Sequence, residues 1–183
     1  FTWIGTNFHW VYGLAVRSAA LRGGFDRVVL HHTDDLSEAP GYRIMRDTDK
    51  VELRPLDPQA LFADIEPHGQ ALAELYERVR HPVARSNLLR AAILWREGGV
   101  YLDTDTVTVS SFQPLLGSAA FCGEEHIVLP QQVVQSRRPT VWVKAAIRLG
   151  VRDLFRRLPN GWQWFRHAER YYPRAVNGAV FGS

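Results

Sequence analysis

The spacing of hydrophobic positions alternates along the chain between the two-residue period of strands and the longer period of helices. Trp3-Ile4-Gly5 closes a short first strand, and a helical pattern then runs to Gly23-Gly24, where a left-handed C-terminal cap is expected. The β-branched run from Arg27 to His32 predicts the second strand. A strand, a helix and a strand in this order predict a parallel pair and therefore an α/β sheet. The apolar positions of the first helix are Val11, Leu14, Ala15, Ala19 and Leu21.

The middle of the chain continues the same alternation. Val51-Glu-Leu53 predicts a third strand, and Asp57-Pro58 begins a helix with a capping side chain and a proline at its first position. Pro67 interrupts that helix, a further helix ends near Pro82, and another follows Ser86. The apolar positions are Leu72, Leu75, Tyr76 and Val79 in the first of these two helices, and Leu88, Leu89, Ala92 and Ile93 in the second.

Two aspartates, Asp103 and Asp105, lie one residue apart directly after the hydrophobic run Val100-Tyr-Leu. Alternate side chains of an extended strand share a face, so both carboxylates are expected on one side, with Thr104 between them. Two carboxylates form an oxygen-rich site of the kind that Mg²⁺ or Mn²⁺ prefers, and such a cation attracts a diphosphate. A second DTD, at residues 47–49, has no hydrophobic strand before it, so the spacing alone is weak evidence.

Arg90 lies on the helix that precedes these aspartates. It shares a face with Asn87 and Ala91, beside the apolar face of the helix. Gly98-Gly99 ends the helix and lets the chain turn directly into the strand that leads to Asp103. Ligands of open α/β sheets bind outside the carboxyl ends of the strands, so we expect Arg90 to reach the crevice of the aspartates.

Length and composition place the chain among ordinary globular domains. At 183 residues, with 46% hydrophobic and 22% charged residues, it fits a single domain. The net charge of +3 does not argue for nucleic acid, and no apolar run is long enough for a transmembrane segment. The single cysteine, Cys122, forms no internal disulfide. We predict a cytoplasmic protein, or one associated with the cytoplasmic side of a membrane, whose N-terminus has been trimmed.

The segment from Ser86-Asn-Leu-Leu-Arg90 through Gly98-Gly-Val-Tyr-Leu-Asp-Thr-Asp105 resembles a known family of sugar transferases that contain a DxD motif. The family includes α-1,4-galactosyl- and N-acetylglucosaminyltransferases, initiating mannosyltransferases and the clostridial glucosylating toxins. Trp3-Ile4-Gly5 is similar to its first strand, and Val176-Asn-Gly-Ala-Val-Phe181 to a later segment that begins with an asparagine. The resemblance implies a GT-A-like, Rossmann-type fold for nucleotide-diphospho-sugar transfer, as one domain over residues 1–183 that is truncated at its C-terminus.

The resemblance also implies a reaction and its participants. A hexose would pass from a nucleotide-sugar, a UDP-sugar in preference to a GDP-sugar, to a carbohydrate, lipid or protein acceptor. Mn²⁺ or Mg²⁺ would be the cofactor, and the anomeric configuration would be retained. The implied catalytic residues are Asp103, Asp105 and Arg90, and the two aspartates are the metal ligands. The implied residues for the donor are Trp3, Ile4, Asn87, Arg90, Tyr101, Asp103, Thr104 and Asn177.

Two of these residues have particular expectations. Trp3 would stack on uracil or guanine. Asn87 stands where the family has an aspartate that holds sugar hydroxyls. Asparagine keeps an acceptor oxygen but loses the charge, so the change could shift the sugar preference, lower the activity or mark an inactive copy.

Two alternatives remain open on the sequence alone. Val100-Tyr-Leu-Asp103-Thr-Asp105 also fits the first motif of haloacid-dehalogenase-type phosphatases, in which the first aspartate attacks phosphorus. Those enzymes need a downstream lysine and a distal acidic pair, for which this chain has only Lys144 and Glu124-Glu125. The other alternative is a catalytically silent module that binds nucleotide-sugars, because a fold alone does not establish activity.

The last third of the chain predicts a long amphipathic helix followed by an aromatic cluster. Its apolar stripe is expected in the core and its arginines in solvent, with a surface for an anionic acceptor or a membrane lipid as the alternative role of the arginines. Most of the aromatic residues are expected in the core, with a sugar-acceptor platform as the alternative. The stripe is Ala146, Ile147, Val151, Leu154, Phe155 and Leu158; the arginines are Arg148, Arg152 and Arg156; the aromatic residues are Trp162, Trp164, Phe165, Tyr171 and Tyr172. His31-His32 point to opposite faces of a strand, so we expect structural roles for them rather than one metal site.

Overall fold

The computed structural model describes residues 1–128 and 130–182, and these form two compact units. The first contains residues 1–122 and the residues from Gly178 on, and the second contains Gly123–Asn177. Leu129 and Ser183, which belong to the predicted domain 1–183, lie outside the described residues. In chain order the elements are β1 Thr2–Trp3, α1 Trp10–Arg22, β2 Val28–His32, α2 Pro40–Arg46, β3 Val51–Pro55, α3 Pro58–Ala63, α4 Gly69–Arg78, α5 Pro82–Glu97, β4 Val100–Leu102, β5 Phe121–His126, α6 Pro130–Gln135, α7 Pro139–Arg157, α8 Gly161–Ala168, a 3₁₀ turn Glu169–Tyr171 and β6 Arg174–Gly182.

The predicted α/β class and its parallel sheet are confirmed. β1, β2 and β3 form a parallel three-stranded sheet in that order, with Trp3 beside His32 and Leu30 beside Leu53. The second sheet has the order β4-β6-β5, and β4 runs antiparallel to β6 with Tyr101 beside Phe181. β4 is followed by the polar residues Asp103, Thr104 and Asp105, whereas β1 ends in Trp3 and is followed by Ile4.

Two clusters of buried side chains hold the first unit together. One cluster packs α1 and α2 against the parallel sheet, and the other packs α3, α4 and α5 together. Burial of such side chains is the main favourable contribution to folding, at roughly 1.5–3 kcal/mol for each large one. The largest fully buried side chains are Phe8, Val16, Leu30, Leu36, Met45, Leu61, Phe62 and Leu89.

Several element boundaries differ from the prediction. The helix expected after Ser86 begins at Pro82, because Pro82 occupies its first turn and His81 is extended before it. Gly98 and Gly99 both have positive φ, as a chain that turns directly from a helix into a strand requires. The positive φ near the end of α1 falls on Gly24, whereas Gly23 is helical. α2 and β5 had no predicted counterpart.

The predicted burial of the α7 stripe is wrong. Ala145 is the buried residue of α7, whereas Ile147 and Leu154 are 61% and 58% exposed. α7 packs instead through the opposite face, where the hydroxyl of Tyr172 donates to the carbonyl of Arg148 at 2.6 Å. The aromatic cluster divides in two: Phe165 and Tyr172 belong to the core of the second unit, but Trp162, Trp164 and Tyr171 are exposed, contrary to the predicted core placement.

His31 is buried in β2, in agreement with its predicted structural role, whereas His32 is partly exposed. The Nε2 atom of His31 lies 3.9 Å from a carboxylate oxygen of Glu97, and its Nδ1 atom has no hydrogen-bond partner among the described residues. Burial lowers the pKa of His31 from 6.5 to about 4. The folded protein therefore holds this imidazole neutral at neutral pH.

We predict that this histidine makes the protein sensitive to acid. Below pH 6.5 His31 is protonated in the unfolded chain, whereas in the folded chain it stays neutral until the pH approaches 4. His31 therefore lowers the free energy of unfolding only below pH 6.5. The loss grows as the pH falls and reaches on the order of 2–3 kcal/mol at about pH 4. Urea unfolding at a series of pH values measures it. His31→Gln should flatten this dependence, and exposed His9→Gln should not; equal slopes for all three proteins would contradict the assignment.

Candidate functional site

A cleft of about 370 Å³ lies in the first unit, between the end of β1, the first turns of α5 and the end of β4. It brings together side chains that are far apart in the sequence, because the ends of β1 and β4 and one face of α5 meet there. Predicted site residues that line it are Trp3, Ile4, Asn87, Tyr101, Asp103, Thr104 and Asp105.

The two aspartates line this cleft, but not for the reason expected from the sequence. β4 ends at Leu102, and the carbonyl of Asp103 accepts hydrogen bonds from the backbone N–H and the hydroxyl of Thr106, at 3.0 and 2.7 Å. Residues 103–106 therefore form a tight turn instead of an extended strand. The backbone N–H of Asp103 donates to the carbonyl of Ala179 at 2.9 Å, which ties the start of the turn to β6.

The second DTD has a different setting. Asp47 follows the end of α2 and forms an exposed ion pair with its neighbour Arg46, with atoms 2.9 Å apart. Asp49 is also exposed. Neither of these aspartates lines the cleft that Asp103 and Asp105 line.

Arg90 contacts Asp103 from α5. Its guanidinium lies 3.5 Å from a carboxylate oxygen of Asp103, donates to Oδ1 of Asn87 at 2.7 Å and donates to the carbonyl of Gly178. It also lies over the rings of Tyr101 and Phe181, 5.3 and 5.7 Å from their centroids. These contacts orient a largely buried positive charge toward the cleft that holds both carboxylates.

Burial controls the electrostatics of this region. It raises the pKa of Asp103, against the opposing effects of a hydrogen bond from Tyr101 and the charge of Arg90, while the nearby Asp105 raises it further. Burial also raises the pKa of the Tyr101 hydroxyl, which therefore stays a hydrogen-bond donor at neutral pH. Two carboxylates held close together in a half-buried cleft favour a positively charged ligand.

An aromatic wall forms the other side of the cleft. The ring of Trp3 packs edge-on against that of Phe8, with centroids 5.0 Å apart, and lies tilted against that of Tyr12, with centroids 4.7 Å apart. The Nε1 atom of Trp3 and the hydroxyl of Thr2 are buried and have no hydrogen-bond partner within residues 1–128 and 130–182. Both atoms are inaccessible to solvent, so neither can reach a ligand in the cleft without a local rearrangement.

The predicted residues and the observed ones differ at a few positions. Arg90 contacts Asp103 and Asn87 rather than lining the cleft itself. Asn177 belongs to the second unit, and its predicted role stays a prediction. No local pattern predicts a role for Thr2, Tyr12 or the Gly178 carbonyl, because their contributions depend on packing and on a backbone atom.

Comparison with known proteins decides which kind of site this is. Residues 26–122, which contain Asn87, Arg90 and both DTD sequences, match the family described as "Glycosyltransferase sugar-binding region containing DXD motif". The chain belongs to this glycosyltransferase family. Membership agrees with the predicted GT-A-like class and decides against the phosphatase alternative.

Individual relatives of this glycosyltransferase domain include two curated mammalian enzymes. A lactosylceramide 4-alpha-galactosyltransferase of Rattus norvegicus is 31% identical over 121 residues, which are 62% of this chain and 30% of that protein. The Mus musculus enzyme of the same name is 41% identical over 68 residues, 33% of this chain and 17% of that protein. The chain thus spans less than a third of either relative. The solved structure of PaToxG glycosyltransferase aligns over 61% of this chain and 42% of that one, with a TM-score of 0.43 and 22% identity.

The carboxylate oxygens of Asp103 and Asp105 are ligands of the kind that hard divalent cations such as Mg²⁺ and Mn²⁺ prefer. Among the described residues there is no group of three or more His, Cys, Asp or Glu side chains that could hold a metal by itself. Mg²⁺ is commonly held by one or two carboxylates together with phosphate oxygens of a substrate, so the Asp103 and Asp105 pair is sufficient when a diphosphate supplies the remainder. Within the described part of the chain, no helix is both long and apolar enough to cross a bilayer.

Proposed function

We propose that this domain transfers a hexose from a nucleotide-sugar, a UDP-sugar in preference to a GDP-sugar, with Asp103 and Asp105 holding Mn²⁺ or Mg²⁺. The observation that carries the proposal is the meeting of both carboxylates with the aromatic wall in one cleft. The partly exposed ring of Trp3 supports a nucleoside at the aromatic end, because an aromatic side chain offers a face on which a base can stack.

Each residue has a defined part in this proposal. Bound at the two aspartates, the cation supplies positive charge that neutralises the diphosphate as it leaves the sugar. Trp3 holds the base, and Arg90 orients Asp103 and adds positive charge beside the phosphates. The hydroxyl of Tyr101 donates to Asp103 and keeps the carboxylate turned into the cleft. Ile4 and Thr104 contact the donor in the same proposal.

The relatives guide the choice of acceptor. Both curated relatives are named lactosylceramide 4-alpha-galactosyltransferases, so we propose a glycolipid as the first acceptor to test and galactose as the first sugar. Carbohydrate and protein acceptors are the next classes to test. Retention of the anomeric configuration, a single domain over residues 1–183 and a location in the cytoplasm or on the cytoplasmic side of a membrane belong to the same proposal.

Calorimetric titration of UDP and of GDP, each with and without Mn²⁺, tests the proposal. We expect UDP to bind in the presence of Mn²⁺ and to lose on the order of a hundredfold in affinity without it. Asp103→Ala and Asp105→Ala should remove the effect of Mn²⁺. Asp47→Ala provides the matched control, because it removes the same residue type from the exposed DTD. Binding of neither nucleotide by the folded protein, or equal binding by the Asp103→Ala protein with Mn²⁺, would overturn the proposal.

The second candidate is the catalytically silent module, and Asn87 is the observation that favours it. Its Oδ1 atom accepts from Arg90 at 2.7 Å, in the position where the resemblance places an aspartate. A carboxylate makes hydrogen bonds about twice as strong as those of a neutral acceptor. We therefore predict that Asn87→Asp raises UDP release from UDP-galactose by roughly tenfold while UDP affinity changes little.

A coupled assay of UDP release measures this effect. Release that is measurable in the wild-type protein and faster in Asn87→Asp supports an active enzyme. Release that is absent from both proteins, with UDP binding intact, identifies the silent module. Gln70→Glu, an amide-to-carboxylate change at an exposed position of α4, is the control and should have no effect.

A further inference from the structure

The second unit exposes an apolar helix face that its own core does not use. Val143, Ile147 and Leu154 are 58%, 61% and 58% exposed. At about 100° per residue they lie within roughly 40° of one another around the axis of α7. Leu158 follows one turn later, and with Trp162 of α8 it lines an apolar groove of about 350 Å³. The apolar face therefore continues past the end of α7, and we call these five residues the α7 face.

Two exposed basic side chains flank the α7 face. Lys144 and Arg157 border it on opposite sides of the helix, and both are exposed. The second unit contains ten Lys or Arg and four Asp or Glu residues, a formal charge of +6, whereas the whole chain carries +3. The first unit therefore carries −3, so the basic character of the chain is confined to the unit that exposes the α7 face.

An exposed apolar helix face bordered by basic residues and a tryptophan fits one kind of surface particularly well. Interfacial helices place an apolar face in the acyl boundary of a bilayer and their basic side chains among anionic headgroups. Tryptophan concentrates at the same depth. We propose that the second unit docks on the surface of an anionic phospholipid bilayer through the α7 face, without crossing it.

Charge argues against the other occupant of this face. A second copy bound face to face would bring two units of +6 together, and like charges at an interface oppose association. An anionic bilayer instead offers a negative surface to Lys144 and Arg157 and an apolar layer to Ile147 and Leu154. The inference goes beyond the proposed sugar transfer and does not depend on it.

Sedimentation of the full chain with vesicles tests the inference. One vesicle type contains phosphatidylcholine alone, and the other contains equal parts of phosphatidylcholine and phosphatidylglycerol. We expect partitioning onto the anionic vesicles only, with a decrease as salt screens the basic side chains. Each basic side chain near such a surface contributes about fivefold in partitioning, so Lys144→Gln/Arg157→Gln should lose roughly twentyfold. Ile147→Gln/Leu154→Gln should lose at least about tenfold.

Matched variants on α1 separate this surface from any exposed helix. Leu14→Gln/Leu21→Gln has the same seven-residue spacing in the first unit, and Arg17→Gln/Arg22→Gln removes two exposed charges there; both should partition like the wild type. Circular dichroism verifies the folding of each variant. Equal partitioning onto neutral vesicles, no partitioning by folded wild-type protein, or unchanged partitioning by the α7 variants would overturn the inference. Sedimentation velocity that shows a dimer abolished by Ile147→Gln/Leu154→Gln would overturn it in favour of a second copy.

Discussion

Replacing Arg90 with alanine is expected to lower the free energy of unfolding by about 3 kcal/mol and to weaken nucleotide binding by on the order of a hundredfold. The Arg90 side chain is only 16% exposed, and its guanidinium contacts Asp103, Asn87 and the carbonyl of Gly178. Its loss leaves a half-buried carboxylate without its positive neighbour and a carbonyl without its donor. The same change removes positive charge beside the proposed diphosphate position.

Two further variants show which of these effects operates. Arg90→Lys keeps the charge but cannot donate to several partners in a fixed planar geometry, so both losses should be intermediate. Arg80→Ala removes an exposed arginine and should change neither stability nor binding. Urea unfolding and calorimetric titration of UDP with Mn²⁺ provide the two measurements. If Arg90→Ala bound UDP normally, the proposed phosphate role of Arg90 would be refuted even if stability fell.

Gly13→Ala should destabilise the first unit by about 2–3 kcal/mol. Gly13 lies where α1 crosses α2, and a Cβ atom added there would stand 2.5 Å from the carbonyl oxygen of Gly41 and 3.0 Å from its Cα atom. Backbone atoms in a packed pair of helices cannot move aside as a flexible side chain can. Gly41 cannot give way either, since the ring of Phe8 and the carbonyl of His9 lie against it.

The control for this prediction reverses the sign of the effect. Gly150 lies inside α7 and has nothing within 4 Å of an added Cβ atom. Alanine is a better helix former than glycine by up to about 1 kcal/mol, so Gly150→Ala should stabilise its helix. Amide hydrogen exchange in increasing urea, monitored separately at α1 and α7, measures the free energy of unfolding at each helix. A Gly13→Ala protein at least as stable as the wild type would show that α1 and α2 do not pack this closely.

The sequence predicted the parallel sheet and most of the site because both depend on local patterns. The β-branched run before His32 and the hydrophobic run before Asp103 each specify a strand and its polar end. α2 gave no comparable signal: it has seven residues, begins Pro-Gly and is held by its contact with Gly13 of α1. Its existence depends on tertiary packing, which a local pattern does not encode.

The errors at Asp103 and at α7 have other physical causes. Two aspartates one residue apart can share a side in a strand or in a tight turn, and a hydrogen bond from Thr106 selects the turn here. At α7, the spacing of Ile147 and Leu154 correctly shows an amphipathic helix. An amphipathic pattern shows that a helix has an apolar face but does not show what covers that face. The prediction that the core of the chain covers it is wrong, because Ile147 and Leu154 are exposed.

The contact between Arg90 and the carbonyl of Gly178 joins residues 88 positions apart, and it has a consequence for protein synthesis. A ribosome releases β1, β2 and β3 early, so the parallel sheet can form while translation continues. A nascent chain that has reached residue 150 already contains both aspartates and Arg90, but it lacks the β6 backbone that fixes them. The site therefore gains its final geometry only after the whole second unit has been made. Chains released before Gly178 contain Arg90 and both aspartates but lack the carbonyls of Gly178 and Ala179 that accept hydrogen bonds from Arg90 and Asp103.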